Sequence, residues 1–234
     1  MFTMQVIPQV YQITDRYANF FLIVEDHLTL IDTGLHGSIR GLVHFIRSLG
    51  RSPEEINLII LTHNHMDHFG GLAKLRKLTR AEVAAPKNDF VIDDSPVPYP
   101  AGNCIRKLLQ VSALSHLRRR FVLESKDVDI LLEGGEIFPI LGGLQIIPTP
   151  GHTAGSISLY ASRKKLLIVG DALKKKQGML RLPLITLTSD IHQAVSSIRR
   201  MSELDVDIIL FGHGRPVTEN AKAGLLRLSE RVKV

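Results

Sequence analysis

One cysteine is all that 234 residues carry. Cys104 alone cannot close an intramolecular disulfide, so a small bridge-stapled secreted fold is excluded and the residue reads as an ordinary buried small side chain. Long apolar runs are lacking too. None is long enough to span a bilayer, and Met1 to Thr14 has no basic segment leading into an apolar stretch, the pattern of an export signal. The expected location is therefore cytoplasmic, with no membrane partner. No Gly-x-Ser-x-Gly turn occurs, which removes the usual nucleophile of a serine hydrolase, and there is no short internal repeat or low-complexity linker. Ordinary core material is plentiful, with 44% hydrophobic and 22% charged residues. That balance suits a single packed domain over residues 1–234 rather than disorder.

Lysine and arginine exceed aspartate and glutamate by 29 to 23, for a net charge of +6. An excess of this sign suits an anionic partner, but the basic residues are spread along the chain instead of forming one stripe. The two short clusters, Arg118-Arg119-Arg120 and Lys174-Lys175-Lys176, read as solvated faces. Nucleic acid is disfavoured as a partner and a small-molecule substrate preferred; a homodimer stays open.

Hydrophobic periodicity lays out the architecture. Gln5–Ile13, Asn19–Val24 and Leu28–Ile31 read as opening strands, and Ser38–Leu49 as a helix with Ile39, Leu42, Val43 and Ile46 on one face, closed by Gly50 and Pro53. Asn57–Leu61 is a compact apolar run of the kind that forms a buried strand. A helix at Leu72–Leu78 and a strand at Ala81–Ala85 follow. Further on come strands at Val128–Leu132, Gly143–Pro148, Ile157–Tyr160 and Lys165–Val169, a helix at Asp190–Met201, a strand at Val206–Phe211 and a helix at Glu219–Arg231. Two groups of strands, each followed by helices, predict two sheets packed face to face with helices outside, since a one-sided element cannot leave its apolar face in water. Residues 93–123 are irregular. There Ser95-Pro96-Val97-Pro98-Tyr99-Pro100 precedes an amphipathic stretch with Ile105, Leu108, Leu109, Leu114 and Leu117, which reads equally as a helical lid insertion or as a helix packed on the body.

Chemistry concentrates just beyond strand ends, where α/β folds carry their sites. His63-Asn64-His65-Met66-Asp67-His68 packs three histidines and a carboxylate into six residues, a pattern that chance supplies in roughly one such sequence in a thousand. Neutral imidazoles and ionised carboxylates converging from an irregular loop are what a metal site requires, and the residues of this loop can face two different ions. Three more polar residues share one grammar of strand, glycine, polar side chain: His152 after Gly151, Asp171 after Gly170 and His213 after Gly212. A glycine there allows the sharp turn and close approach that a side chain would block.

With these motifs and Asp32-Thr33-Gly34 standing in order across residues 32 to 213, the chain resembles the metallo-β-lactamase superfamily. The resemblance implies an αββα sandwich, that is, an α/β fold of two mixed sheets flanked by helices. It implies that His63, His65 and His152 hold one metal, that Asp67, His68 and His213 hold a second, and that Asp171 bridges them. Asp32 matches an early aspartate that orients a ligand instead of binding metal. Two divalent ions are implied, zinc first, with iron or manganese able to occupy the same nitrogen and oxygen donors. Such a pair can hold a bridging hydroxide that cleaves an ester, lactone, thioester or phosphoester, with Asp67 and Asp171 as the catalytic carboxylates and Asp67 able to relay a proton to the leaving group.

Within that family the glyoxalase II and lactonase branches are the nearest in pattern. The chain ends soon after His213, without the helical domain with which glyoxalase II enzymes commonly bind glutathione, and Lys174 stands where lactonases carry a tyrosine three residues beyond the bridging aspartate. Lys174 is thus a candidate substrate contact, with simple solvation as the competing reading. A nuclease acting on RNA or DNA phosphodiesters is one alternative, kept by the positive charge. An iron-dependent oxidoreductase resembling persulfide dioxygenases is another. Against the latter, di-iron flavin relatives usually show glutamate where His65 stands, and the persulfide enzymes do not use the full two-metal set.

Overall fold

The computed structural model describes residues 1–16, 18–89 and 127–232. The 93–123 segment, and with it the lid reading, Cys104 and Arg118-Arg119-Arg120, lies outside the described residues. Seven strands form one sheet in the order β1 (Phe2–Ile7), β2 (Val10–Asp15), β3 (Ala18–Val24), β4 (Leu28–Ile31), β5 (Ile56–Ile60), β6 (Glu82–Pro86) and β7 (Ile130–Leu132). Pairing is antiparallel from β1 to β4 and parallel from β4 to β7. The parallel pairs need crossovers, and helices α1 (Ile39–Ser48), α2 (Met66–Phe69) and α3 (Leu72–Leu78) supply those between β4 and β6.

The second sheet contains β8 (Ile137–Phe138), β9 (Leu144–Pro148), β10 (Ile157–Ala161), β11 (Leu166–Ile168) and β14 (Ile208–Leu210), in the spatial order β14, β11, β10, β9, β8. Its β11–β14 pair is parallel, and the chain between them contains the hairpin β12 (Lys174–Lys176) and β13 (Met179–Arg181) and then α4 (Ile191–Glu203). Helix α5 (Ala221–Arg231) follows β14.

Side-chain alternation divides the core into three layers. Along β3, Phe20 and Leu22 turn toward Ile39, Leu42 and Ile46 of α1, while Phe21 and Ile23 turn toward the other sheet, against Leu144, Ile146, Leu159 and Ile168. Along β11, Leu166 and Ile168 join that middle layer, and Leu167 with Val169 packs under Ile198, Met201 and Leu225 of α4 and α5. Both sheets are therefore covered on both faces over their central strands, and the architecture is the expected four-layer αββα sandwich. Burial of each such Leu, Ile or Phe contributes about 1.5–3 kcal/mol.

The opening differs from expectation. Gln5–Ile13, read as one strand, is split into β1 and β2, with Ile7 paired to Val10 across a two-residue turn. Pro8 has no N–H to donate to a ladder, and Gln9 adopts φ 74°, the arrangement that a turn with proline first and a left-handed residue second calls for. The Lys174-Lys175-Lys176 run, read as a solvated face, forms one strand of a hairpin with no fully buried residue. Among the described residues no helix is long and apolar enough to cross a membrane.

Candidate metal centre

Four chain segments converge beyond the ends of β5, β9, β11 and β14. Leu61 and Thr62 extend β5 toward His63, and His65 stands at the N-terminal boundary of α2 in an extended conformation, φ −109° and ψ 142°. The short helix then presents Asp67 and His68. His152 follows β9, Asp171 follows β11 and His213 follows β14.

All seven residues singled out for metal are brought together. Ligating atoms within 4.8 Å of one another define three overlapping trios: His63 with His65 and His152, His63 with His68 and Asp171, and Asp67 with His68 and His213. Nδ1 of His65 faces Nε2 of His152 at 3.0 Å. Asp171 lies between the outer trios. Its Oδ2 is 3.5 Å from His152 Nε2 and 3.2 Å from His213 Nε2, and its Oδ1 is 3.6 Å from His68 Nε2. Asp67 Oδ2 closes the open side, 3.4 Å from His213 Nε2 and 3.8 Å from His68 Nε2.

Asp32 organises two of these rings from behind. It is fully buried, takes a left-handed backbone at φ 60°, and its Oδ2 lies 2.7 Å from His68 Nδ1. Its two oxygens also accept from the Thr62 backbone N–H and the Thr62 hydroxyl, each at 2.8 Å. Having given its hydrogen to Asp32, Thr62 Oγ1 can only accept from His63 Nδ1, 3.0 Å away. One carboxylate thus puts the protons of both His63 and His68 on Nδ1, which leaves each Nε2 to face the site.

The donor atoms fit a metal. His63 Nε2, His68 Nε2 and Asp171 Oδ1 are buried with no hydrogen-bond partner among the described residues, a costly condition for polar atoms unless a cation completes them. The donors are nitrogen and oxygen without sulfur. Burial, reinforced by the neighbouring His68, drives the His63 pKa well below the usual histidine value, and burial lowers His152 to about 4 against the pull of Asp171, so both rings are neutral. Burial would also lower His68, but Asp32, Asp171 and Asp67 prevail and hold it at about 9. Burial alone would raise Asp171; His68 and the hydrogen bond from His213 overcome it and hold this carboxylate well below its ordinary range.

Two glycines make the convergence sterically feasible. A Cβ on Gly212 would stand 2.1 Å from Asp171 Oδ1 and 2.7 Å from His68 Cε1. Gly151, at φ 137°, presses its Cα against α4, where a Cβ would come 2.3 Å from Ala194 N. Helix α4 grips the same loop from its start, with Asp190 N donating to Gly151 O and Ser189 N to His152 O at 2.9 and 3.1 Å.

A further residue joins the site without having been singled out. Asp89, only 3% exposed, lies at the end of the turn after β6. Its carboxylate accepts from Asn64 N at 2.9 Å, Thr153 Oγ1 at 2.7 Å and Gly155 N at 2.6 Å, and its carbonyl accepts from Asn64 Nδ2 at 2.9 Å. It therefore ties the His63–His68 loop to the His152 loop. Burial raises its pKa, and these donors act in the opposite sense. Lys174 belongs to none of these trios and lines a cavity to which none of the seven residues contributes.

A family model described as the metallo-beta-lactamase superfamily matches residues 13–213, spanning every residue of the cluster. The chain belongs to that superfamily. Its similarity to a probable metallo-hydrolase of Bacillus subtilis, YflN, is 30% identity over 95% of this chain and 90% of the relative. An N-acyl homoserine lactonase from a Bacillus species is 27% identical over 74% of this chain and 61% of its own length. Among solved structures, a metallo-beta-lactamase family protein from Thermus thermophilus superposes with a TM-score of 0.70 at 21% identity, covering 97% of this chain and 80% of that one, a likeness of fold. Family and site together make the chain a metal-binding hydrolase.

Proposed function

We propose that this superfamily member is a binuclear hydrolase that cleaves an ester, lactone, thioester or phosphoester bond in a small molecule. The observation that carries the reading is the position of Asp171, whose carboxylate lies within 3.2–3.6 Å of His152 on one side and of His68 and His213 on the other. A carboxylate held between two sets of imidazoles is suited to be shared by two cations.

In this reading His63, His65 and His152 hold one divalent ion, Asp67, His68 and His213 the other, and Asp171 both. The thiolate-free donor set favours zinc. When bound, such a pair supplies the Lewis acidity that polarises a carbonyl or phosphoryl oxygen and makes water nucleophilic near neutral pH. The chain's own part is orientation and proton handling. Asp32 keeps the protons of His63 and His68 on the nitrogens away from the reaction. Asp67, 36% exposed against 16% for Asp171, is the carboxylate that solvent and substrate reach, and it takes a proton from the attacking water and returns it to the leaving group. The likeness to a lactonase supports the ester and lactone end of the range.

The test is hydrolysis of a small panel: a γ-lactone, an acyl-homoserine lactone, S-lactoylglutathione, a phosphotriester and bis(p-nitrophenyl) phosphate, each with and without chelator. Chelator-sensitive turnover of one class, abolished in Asp171→Ala, supports the proposal and names the branch. Turnover that survives both the chelator and Asp171→Ala contradicts it.

A further inference from the structure

A cavity of about 470 Å³ opens between the β12–β13 hairpin, the 182–186 segment and the last turn of α5. None of the seven residues of the metal centre lines it. Its chemistry is two-sided. Lys174, Lys176, Arg181 and Arg231 lie on its wall beside Leu184 and Leu228, and among the described residues no acidic side chain lines it.

Strand geometry explains why the cations gather there. Residues two apart on a strand share a face, so Lys174 and Lys176 point together. Lys175 turns the other way and donates through Nζ to Pro216 O at 2.7 Å. Arg181 is the cross-strand partner of Lys174 in the antiparallel register, which sets two like charges directly opposite, an unfavourable pair in the absence of a counter-charge. Neither of them, nor Lys176, forms an ion pair among the described residues. Arg231 is fixed at the rim by donating to Leu180 O at 2.9 Å. Leu184 and its neighbour Ile185 are 49% and 66% exposed, so apolar surface stands open beside the cations.

We infer that this cavity is a binding site, distinct from the metal centre, for a small amphiphilic anion whose charged head meets Lys174, Lys176 and Arg181 and whose apolar arm covers Leu184 and Ile185. The head supplies the counter-charge that no carboxylate among the described residues gives the Lys174–Arg181 pair, and the arm takes the exposed Leu184 and Ile185 side chains out of solvent. A sulfate-like, phosphate or carboxylate head satisfies the same donors, arginine in bidentate fashion.

The inference is tested by calorimetric titration of the metal-loaded protein with octyl sulfonate, whose head is a weak metal ligand, beside sulfate for the head alone and octanol for the tail alone. One octyl sulfonate per chain is expected, bound at least about tenfold more tightly than sulfate or octanol, because both halves of the site contribute. The Lys176→Ser, Arg181→Ser double variant, with metal content and melting temperature unchanged as the fold control, is expected to lose roughly tenfold or more in affinity. A Leu184→Ser variant, which removes apolar surface without adding charge, is expected to weaken octyl sulfonate and leave sulfate binding unchanged. Sulfate binding as tightly as octyl sulfonate overturns the amphiphile, octanol binding as tightly overturns the anion, and affinity unchanged in the double variant overturns the location.

Discussion

Asp32 and His68 meet at 2.7 Å between Oδ2 and Nδ1, both fully buried, and the same carboxylate reaches His63 through Thr62. This makes Asp32 a positioning residue for both trios of the metal centre. The Asp32→Asn substitution isolates that role, since asparagine also tolerates the left-handed backbone at φ 60°. The amide must turn a donor toward either Thr62 or His68, where only acceptors serve. The expected outcome is a folded protein whose affinity for metal falls about 10–100-fold, read by competition with a chelating dye.

The clamp made by Asp89 yields a different signature. Asp89→Ala leaves the Asn64 and Gly155 N–H groups without their acceptor, at about 1–3 kcal/mol each. A fall in melting temperature of about 2–4 °C per kcal/mol follows for a chain of this size, together with weaker metal binding because two ligand loops lose their tie. An unchanged melting curve in the metal-free protein runs against this role.

Gly212→Ala probes crowding at the centre itself. With the new Cβ 2.1 Å from Asp171 Oδ1, Asp171 or His68 must move, and overpacking of this kind costs about 1–3 kcal/mol. Metal content is expected to fall in parallel with the melting temperature. Full metal loading in the variant contradicts the close approach.

Much of this centre is legible in the sequence because His63, His152, Asp171 and His213 each lie just beyond an apolar strand, the last three directly after a glycine, while His65, Asp67 and His68 crowd into the same short segment as His63. The layers are legible for a related reason: Leu166–Ile168 is apolar at every position and Ala18–Val24 at every position but Asn19, as suits central strands covered on both faces. Asp89 is not legible. Its partners lie 25, 64 and 66 residues away, and nothing local distinguishes it from a surface aspartate. The lysine run hides β12 because a strand with one face on a cavity and the other on a loop carbonyl has no apolar alternation to show. The turn at Pro8–Gln9 carries a proline signal, but it sits among β-branched and aromatic residues that favour a continuous strand.

The central claim, a pair of cations sharing Asp171, is tested most directly by metal content of the purified, zinc-reconstituted protein by plasma mass spectrometry, compared with Asp171→Ala. The account predicts two divalent ions per wild-type chain and a clear loss in the variant. A single ion per chain, unaffected by the substitution, or one iron in place of the pair, contradicts it.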